Sequence, residues 1–258
     1  MKRFLCFICV LTQLASRAQT DSISSPKTET ASVVHLKDTT ITVEKPLVEF
    51  MSVEFNPGLS IPSGNFASGD YTNPSAGYAK EGYSLGANVT IKIIDELNVM
   101  VCYSRQMSVF DSKSFEVNAL KGLSNYTLQT NANWRNHFVL AGLSGNIALD
   151  EDNFLTPRLL VGVCLSKTPQ YETMPLKVTT GTVTPTVVES ESGVNFAMRF
   201  GVGIKKNLTK ELFMSINPDF YLTNIKTNIN RSFPAGTATN QSISIISVSL
   251  SIGFRMYN

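Results

Sequence analysis

The chain has 258 residues, 16% of them charged, and a formal net charge of +2; soluble globular proteins usually carry roughly 25% charged residues. One all-β domain commonly reaches this length without dividing. The near-neutral balance excludes the basic footprint of a nucleic-acid-binding protein, so no nucleic-acid partner is expected.

The first residues read as a secretory signal: Lys2 and Arg3 form a basic start, Phe4 to Leu11 an apolar centre, and Ser16-Arg17-Ala18 a small-residue processing site. The predicted signal peptide is 1–18, cut between Ala18 and Gln19. Its apolar run falls short of the roughly 20 residues a spanning helix needs. Removal takes Lys2, Arg3 and Arg17, leaving 19 basic against 20 acidic residues, or −1. It also removes Cys6 and Cys9; Cys102 and Cys164 remain, too few for a disulfide framework and without metal-ligand spacing. No cysteine follows the cut, as a lipoprotein would require. Residues 19–48, rich in Ser, Thr, Lys and Glu with Pro26 and Pro46, lack a sustained period and read as a flexible periplasmic extension with at most a short strand near Thr39–Val43.

From residue 49 to 258 the dominant signal is alternation at period 2, which assigns one residue class to each face of a strand. The first segment sets Met51, Val53, Phe55, Leu59 and Ile61 against Ser52, Glu54, Asn56, Gly58 and Ser60. The second alternates Tyr83 to Ile93 with Ser84, Gly86, Asn88, Thr90 and Lys92, and Asp95-Glu96 turns it into a third from Leu97 to Tyr103. The fourth sets Val139, Ala141, Leu143 and Ile147 against Leu140, Gly142, Ser144 and Asn146, the weakest polar face. The fifth (Leu155–Leu165) carries Arg158, Gly162, Cys164 and Ser166 on its polar side; the sixth (Val194–Lys205) carries Asn195, Arg199, Gly201 and Gly203. The seventh, Leu212–Leu222, opposes its apolar row with Ser215, Asn217, Asp219 and Tyr221, and the eighth, Ser247–Met256, alternates serine with Val248, Leu250, Ile252 and Phe254. Pro57, Pro157 and Pro218 fall inside these patterns and predict bulges or strand ends, because each deletes a ladder donor.

Connections alternate between long (about 63–81, 105–134, 167–192, 224–241) and short (95–97, 150–153, 206–210). This rhythm predicts an all-β, eight-stranded antiparallel up-and-down transmembrane β-barrel with short periplasmic turns and long extracellular loops. A soluble lipocalin-like barrel with an apolar cavity is the competing arrangement. The polar face opposes it: it holds Gly, Ser, Asn and Thr, which fit a narrow lumen, where a water-exposed face would hold Lys and Glu. Aromatics gather near the strand ends, Tyr83, Tyr103 and Trp134 toward the long loops and Phe154, Phe213, Phe254 and Tyr257 toward the short turns, as interfacial girdles.

The signal peptide, the eight alternating segments and the closing Ser251-Ile252-Gly253-Phe254-Arg255-Met256-Tyr257 resemble small bacterial outer-membrane β-barrel families, the OmpA-like transmembrane domains and the PorT-like barrels of Bacteroidota. The resemblance covers about 48–258 and implies outer-membrane lipid as the surroundings and the barrel assembly machinery as a partner in biogenesis. The family pattern usually ends in an aromatic residue, whereas here Asn258 follows Tyr257.

An eight-stranded lumen is filled by side chains, so a charge network of Glu54, Arg158, Arg199, Asp219 and Arg255 is expected inside, with Arg199 beside Asp219 and Glu54 beside Arg255. Enzymes on small outer-membrane barrels pair His with Ser or Asp at the loop side. Of the two histidines, His35 lies in the extension and His137 lacks the deacylase serine two residues on, so no enzyme, cofactor or metal site is expected. The long loops carry Phe66, Tyr71, Tyr78, Phe110, Phe115, Tyr126, Lys113 and Lys121 and are the candidate surface for an extracellular ligand or envelope protein; 117–123 is a candidate for a helical turn. A structural or surface-interaction role is the first expectation, and an accessory role in an outer-membrane transport or secretion assembly the second.

Overall fold

The computed structural model describes residues 49–258 apart from 71, 74, 120–125, 131–132, 176–185, 228–238 and 258. At 118–119, 126–130, 173–175, 186, 227 and 239 only the backbone is described. The expected signal peptide (1–18) and extension (19–48) lie outside the described residues.

Eight long strands form the barrel: β1 (Glu49–Ser63), β2 (Ala79–Lys92), β3 (Leu97–Phe110), β5 (Trp134–Gly145), β7 (Asn153–Lys167), β10 (Ser192–Asn207), β11 (Leu212–Thr227) and β12 (Thr239–Tyr257). The sheet runs β10-β11-β12-β1-β2-β3-β5-β7, and β7 pairs back onto β10, so the sheet closes with every pairing antiparallel. Closure removes the unpaired edges of an open sheet. The two-residue β6 (Ile147–Ala148) adds to β7. At the long-loop end, β4 (Tyr126–Thr130), β8 (Tyr171–Pro175) and β9 (Thr186–Val188) make a separate three-stranded sheet.

The prolines do not form bulges. The β1–β12 pairing skips Asn56 and Pro57 between Phe55↔Ile252 and Gly58↔Ser249 without changing register, while Pro57 stays opposite Leu85 on β2. The β10–β11 pairing likewise skips Pro218, which stays opposite Val248 on β12. Pro157 stands opposite Val202 just past Arg158, where the β5–β7 pairing ends. A strand residue in an antiparallel ladder directs its N–H and C=O to one neighbour, so each proline costs bonds on one side while the other ladder holds the register. The recorded shifts fall elsewhere, between Glu49 and Met51 and between Lys80 and Gly82.

Among the described residues of the connection after β3 lies a helix, α1 (Ser112–Ala119), earlier than the expected 117–123, of which 120–123 are outside the described residues. Asp111 sets its start: its carboxylate accepts from Ser114 N at 3.1 Å and Ser114 Oγ at 2.6 Å, the arrangement of a helix N-cap.

Burial is inverted relative to a water-soluble barrel. Ser52, Glu54, Asn56, Ser60, Ser84, Asn88, Arg158, Arg199, Asn217, Asp219 and Ser251 are buried in the lumen. Phe55, Leu59, Ile91, Leu159, Phe196, Leu250 and Ile252 point outward and are more than half exposed or close to it. Toward the long-loop side Phe138, Leu140, Leu160, Ala197, Tyr221, Ile243 and Ile245 are buried together, beside Ser60, Gln106, Asn136 and Ser166. Leu140 is what made the polar face of β5 weak: it belongs to this inner layer.

Candidate functional site

The centre of the lumen is a hydrogen-bonded charge cluster. Arg199, on β10, is 2% exposed and donates to Asp219 Oδ2 at 2.7 Å, to Asn88 Oδ1 at 3.2 Å and to Cys102 Sγ at 2.8 Å. Its guanidinium also lies 5.3 Å from the Tyr221 ring centroid. Arg158, on β7, places Nε 3.5 Å from Asp219 Oδ1 and donates to Asn217 Oδ1. One carboxylate thus faces two guanidiniums, so each buried charge has a partner of opposite sign. Glycine makes the room: a Cβ at Gly203 would land on Arg158 Nη2 and Asn217 Oδ1 and within 2.6 Å of Thr156 Oγ1.

Glu54 and Arg255 are not partners. Closure puts Glu54 opposite Gly253 and Arg255 opposite Ser52. Glu54 instead turns to the centre, accepting from Asn88 Nδ2 at 2.8 Å, Asn217 Nδ2 at 3.1 Å and Ser215 Oγ. Arg255 stays near the short-turn end, 3.3 Å from Glu49 and bonded to Asn207 Oδ1. Beneath the cluster an open recess of about 470 Å³ is lined by Glu54, Lys92, Asn146, Arg158, Lys205 and Phe213 among others. A second space of about 210 Å³ beside Arg199 and Tyr221 shares no lining residue with it.

Toward the long loops the lumen is capped by aromatic rings. Trp134 is fully buried, packs edge-on to Phe66 at 5.1 Å and donates Nε1–H to Gly77 O at 2.9 Å. Tyr78, Phe110, Phe115 and Tyr171 continue the cluster with centroid separations of 5.0–6.2 Å. Asp111 pins the cap, since its amide donates to Tyr78 O at 2.7 Å and its carboxylate lies 2.8 Å from Lys80 Nζ. Two girdle assignments are therefore corrected. Trp134 faces inward because the mouth must be filled and Gly77 offers its N–H a partner. Phe213 is only 3% exposed, its ring occupying the space Gly253 leaves and lying 5.1 Å from Lys205 Nζ and 5.3 Å from Arg255 Cζ. Tyr83, Tyr103 and Phe254 are exposed on the outer face; Phe154 and Tyr257 are half-buried at the short-turn end. Of the loop residues offered as a binding surface, Phe66, Tyr78, Phe110 and Phe115 are consumed by the cap, Lys113 is exposed, and Tyr71, Lys121 and the Tyr126 side chain lie outside the described residues.

No protein-family model matches the chain, and no curated protein matches it. Solved structures similar to it include a Neisserial surface protein, NspA (10% identity, TM-score 0.43, covering 80% of this chain and 97% of that one). The attachment invasion locus protein Ail of Yersinia pestis (12%, 0.42, 81% and 100%) and a major outer membrane protein of Thermus thermophilus (9%, 0.43, 80% and 99%) are similar at the same level. Likeness this distant carries no assignment of role.

The lipocalin alternative required an apolar lumen. The apolar rows face outward and the lumen holds ions, amides and serines, so no hydrophobic ligand cavity exists among the described residues. Cys102 and Cys164 are free thiols inside the wall, the first against Arg199 and the second 3.2 Å from Ser166 Oγ. His137 lies on the outer side of β5 with Nδ1 2.9 Å from the Tyr103 hydroxyl. Among the described residues no group of His, Cys, Asp and Glu is arranged to hold a metal ion.

Proposed function

We propose that this chain is a non-enzymatic integral outer-membrane β-barrel, exported by residues 1–18, with 19–48 on the periplasmic side, the short turns facing the periplasm and the long-loop end facing out. Its role is structural or one of surface interaction. The observation that carries this is the inverted burial: ionised and amide side chains fill the lumen while Phe55, Leu59, Leu159, Val163 and Ile252 stand outward. Water would penalise that arrangement, whereas a bilayer rewards it, because apolar side chains lose no solvation against lipid and the closed ladder has no open edge, its lost bonds being confined to one side of each proline. On β7 the outward row from Leu155 to Leu165 rises about 3.3 Å per residue, and at a tilt near 40° it spans roughly 25 Å, the height of an outer-membrane barrel's apolar band.

The plugged lumen argues for an anchor and against a pore. The charge cluster interlocks with apolar side chains, Tyr221 lying over Arg199 and 4.8 Å from Phe138, and the aromatic cap fills the mouth toward the long loops. The ordered cap and the small sheet of β4, β8 and β9 build a shaped outer surface. The test is cell fractionation followed by gel electrophoresis in SDS with and without boiling. Membrane-bound protein whose mobility changes on boiling is the expected result; soluble protein without a shift would overturn the proposal.

A further inference from the structure

Around the long-loop rim, the outward face of β3, β5 and β7 differs from the rest of the circumference. Register places Arg105 opposite His137 and Arg135 opposite both Met107 and Lys167. These positions share the outward parity of Tyr103, Val139 and Leu165, so four basic side chains converge at the upper margin of the apolar band. Tyr103 donates to or accepts from His137 at 2.9 Å, and the Tyr83 hydroxyl reaches Met107 Sδ at 2.7 Å, closing the patch below with phenols. Among the described residues none of the ion pairs includes Arg105, Arg135 or Lys167. Arg105 Nε and Arg135 Nε make no hydrogen bond there. Glu81, in the β2 bulge, and Glu191, before Ser192 opposite Lys167, lie at the margins. Four strands round the barrel from β5, β12 presents Ser242, Ser244 and Ile246 at the same end, with no charge.

Among the described residues Arg105 Nη2 reaches only Met107 Sδ, at 3.6 Å; guanidiniums without a carboxylate partner beside a lipid-facing apolar row are costly unless an anion from the membrane itself meets them. Arginine's planar fork suits phosphate oxygens, and several cations in one patch suit more than a single negative charge. We propose that Arg105, Arg135, His137 and Lys167 bind the headgroup of a lipid carrying phosphate monoesters in the outer leaflet. Its acyl chains would run down over Val139, Val163 and Leu165, and Tyr83 and Tyr103 would sit at the headgroup boundary. This rests on the membrane orientation proposed above.

The test is native mass spectrometry of the detergent-solubilised barrel with three probes: diphosphoryl lipid A, the same lipid dephosphorylated, and phosphatidylcholine. Wild type should retain the diphosphorylated probe over both others. At roughly fivefold per cation, Arg105→Gln, Arg135→Gln and Lys167→Gln together should weaken retention on the order of a hundredfold. A control lacking Lys206 and Lys226 should stay within about twofold, since those cations lie off the patch. Equal retention of the dephosphorylated lipid, or a triple variant that holds the probe as wild type does, overturns the proposal. The boiled and unboiled gel separates this from failure of the membrane reading: a folded, heat-shifted barrel without phosphate selectivity sinks only the site. If the triple variant loses the folded band, Arg105→Gln alone is read, with about fivefold weakening expected and no change overturning the site.

Discussion

Asp219→Asn is the sharpest test of the interior. The substitution keeps the shape but strips the charge from a carboxylate that sits 2.7 Å from Arg199 and 3.5 Å from Arg158, leaving two guanidiniums and Glu54 as the only acid in the cluster. Removing one partner of a buried pair costs about 3–5 kcal/mol, because the other charge stays desolvated; against a domain stability of about 5–15 kcal/mol this is a large share. Unfolding by urea in lipid vesicles, followed by the fluorescence of Trp134, the sole tryptophan, gives the number. Arg199→Met with Asp219→Leu removes both charges of the shorter pair and should recover most of the loss, since apolar replacement of a buried pair is often neutral. A single-variant cost below about 1 kcal/mol, or a double variant that loses the sum of the two singles, would refute the view that the cluster holds by mutual charge compensation.

Val161→Arg, midway along the outward row of β7, should cost about 2–4 kcal/mol in vesicles, whereas Ile147→Arg near the short turns should cost about 1 kcal/mol or less; equal costs at the two depths would contradict a bilayer around the barrel. Gly203→Ala should lower stability by about 1–3 kcal/mol by displacing Arg158 and Asn217, and an unchanged unfolding midpoint would mean that the pair can move aside. Partial burial works against the Asp111 carboxylate, but Lys80 and the Ser114 donors outweigh it and hold its pKa below the usual value. The stabilisation Asp111 gives to α1 and the cap is therefore complete above about pH 4 and lost as pH falls through the lowered folded value. Limited proteolysis at 111–119 should accelerate at acid pH in wild type. Asp111→Ala should be cut fast at neutral pH already, having lost a cap worth about 1 kcal/mol, and an acid-insensitive wild type would count against the capping role.

The barrel was readable where a local rule reached it. Period 2 sorts Met51 to Ile61 or Phe196 to Ile204 without tertiary knowledge, because each face of the wall meets one environment. Counting outward from a short turn puts Arg199 and Asp219 near each other, and they stand two residues apart in register, Arg199 opposite Tyr221 and Asp219 opposite Gly201. The same counting fails for Glu54 and Arg255, because no turn joins β1 to β12 and their register follows from closure of the whole sheet. Trp134 and Phe213 misled because an aromatic near a strand end serves a girdle or a plug equally well. Only the partners decide: Gly77 O for Trp134, and the space over Gly253 for Phe213. The cap was illegible for a related reason, since Phe66, Tyr78, Phe110 and Phe115 come from two separate loops whose convergence no local pattern encodes.

The two wall thiols set a condition on the order of events during assembly. Cys102 on β3 and Cys164 on β7 have β5 between them, so about 10 Å of sheet separates them, beyond the reach of a disulfide. In the oxidising compartment that the proposed export would imply, a bond formed early would tie those strands at a spacing the finished wall does not contain. A chain so crosslinked could not complete the ladder, which makes closure a race against oxidation. The winner is recorded in the thiols themselves: a maleimide added in denaturant labels chains that closed with both thiols free and passes over those already crosslinked.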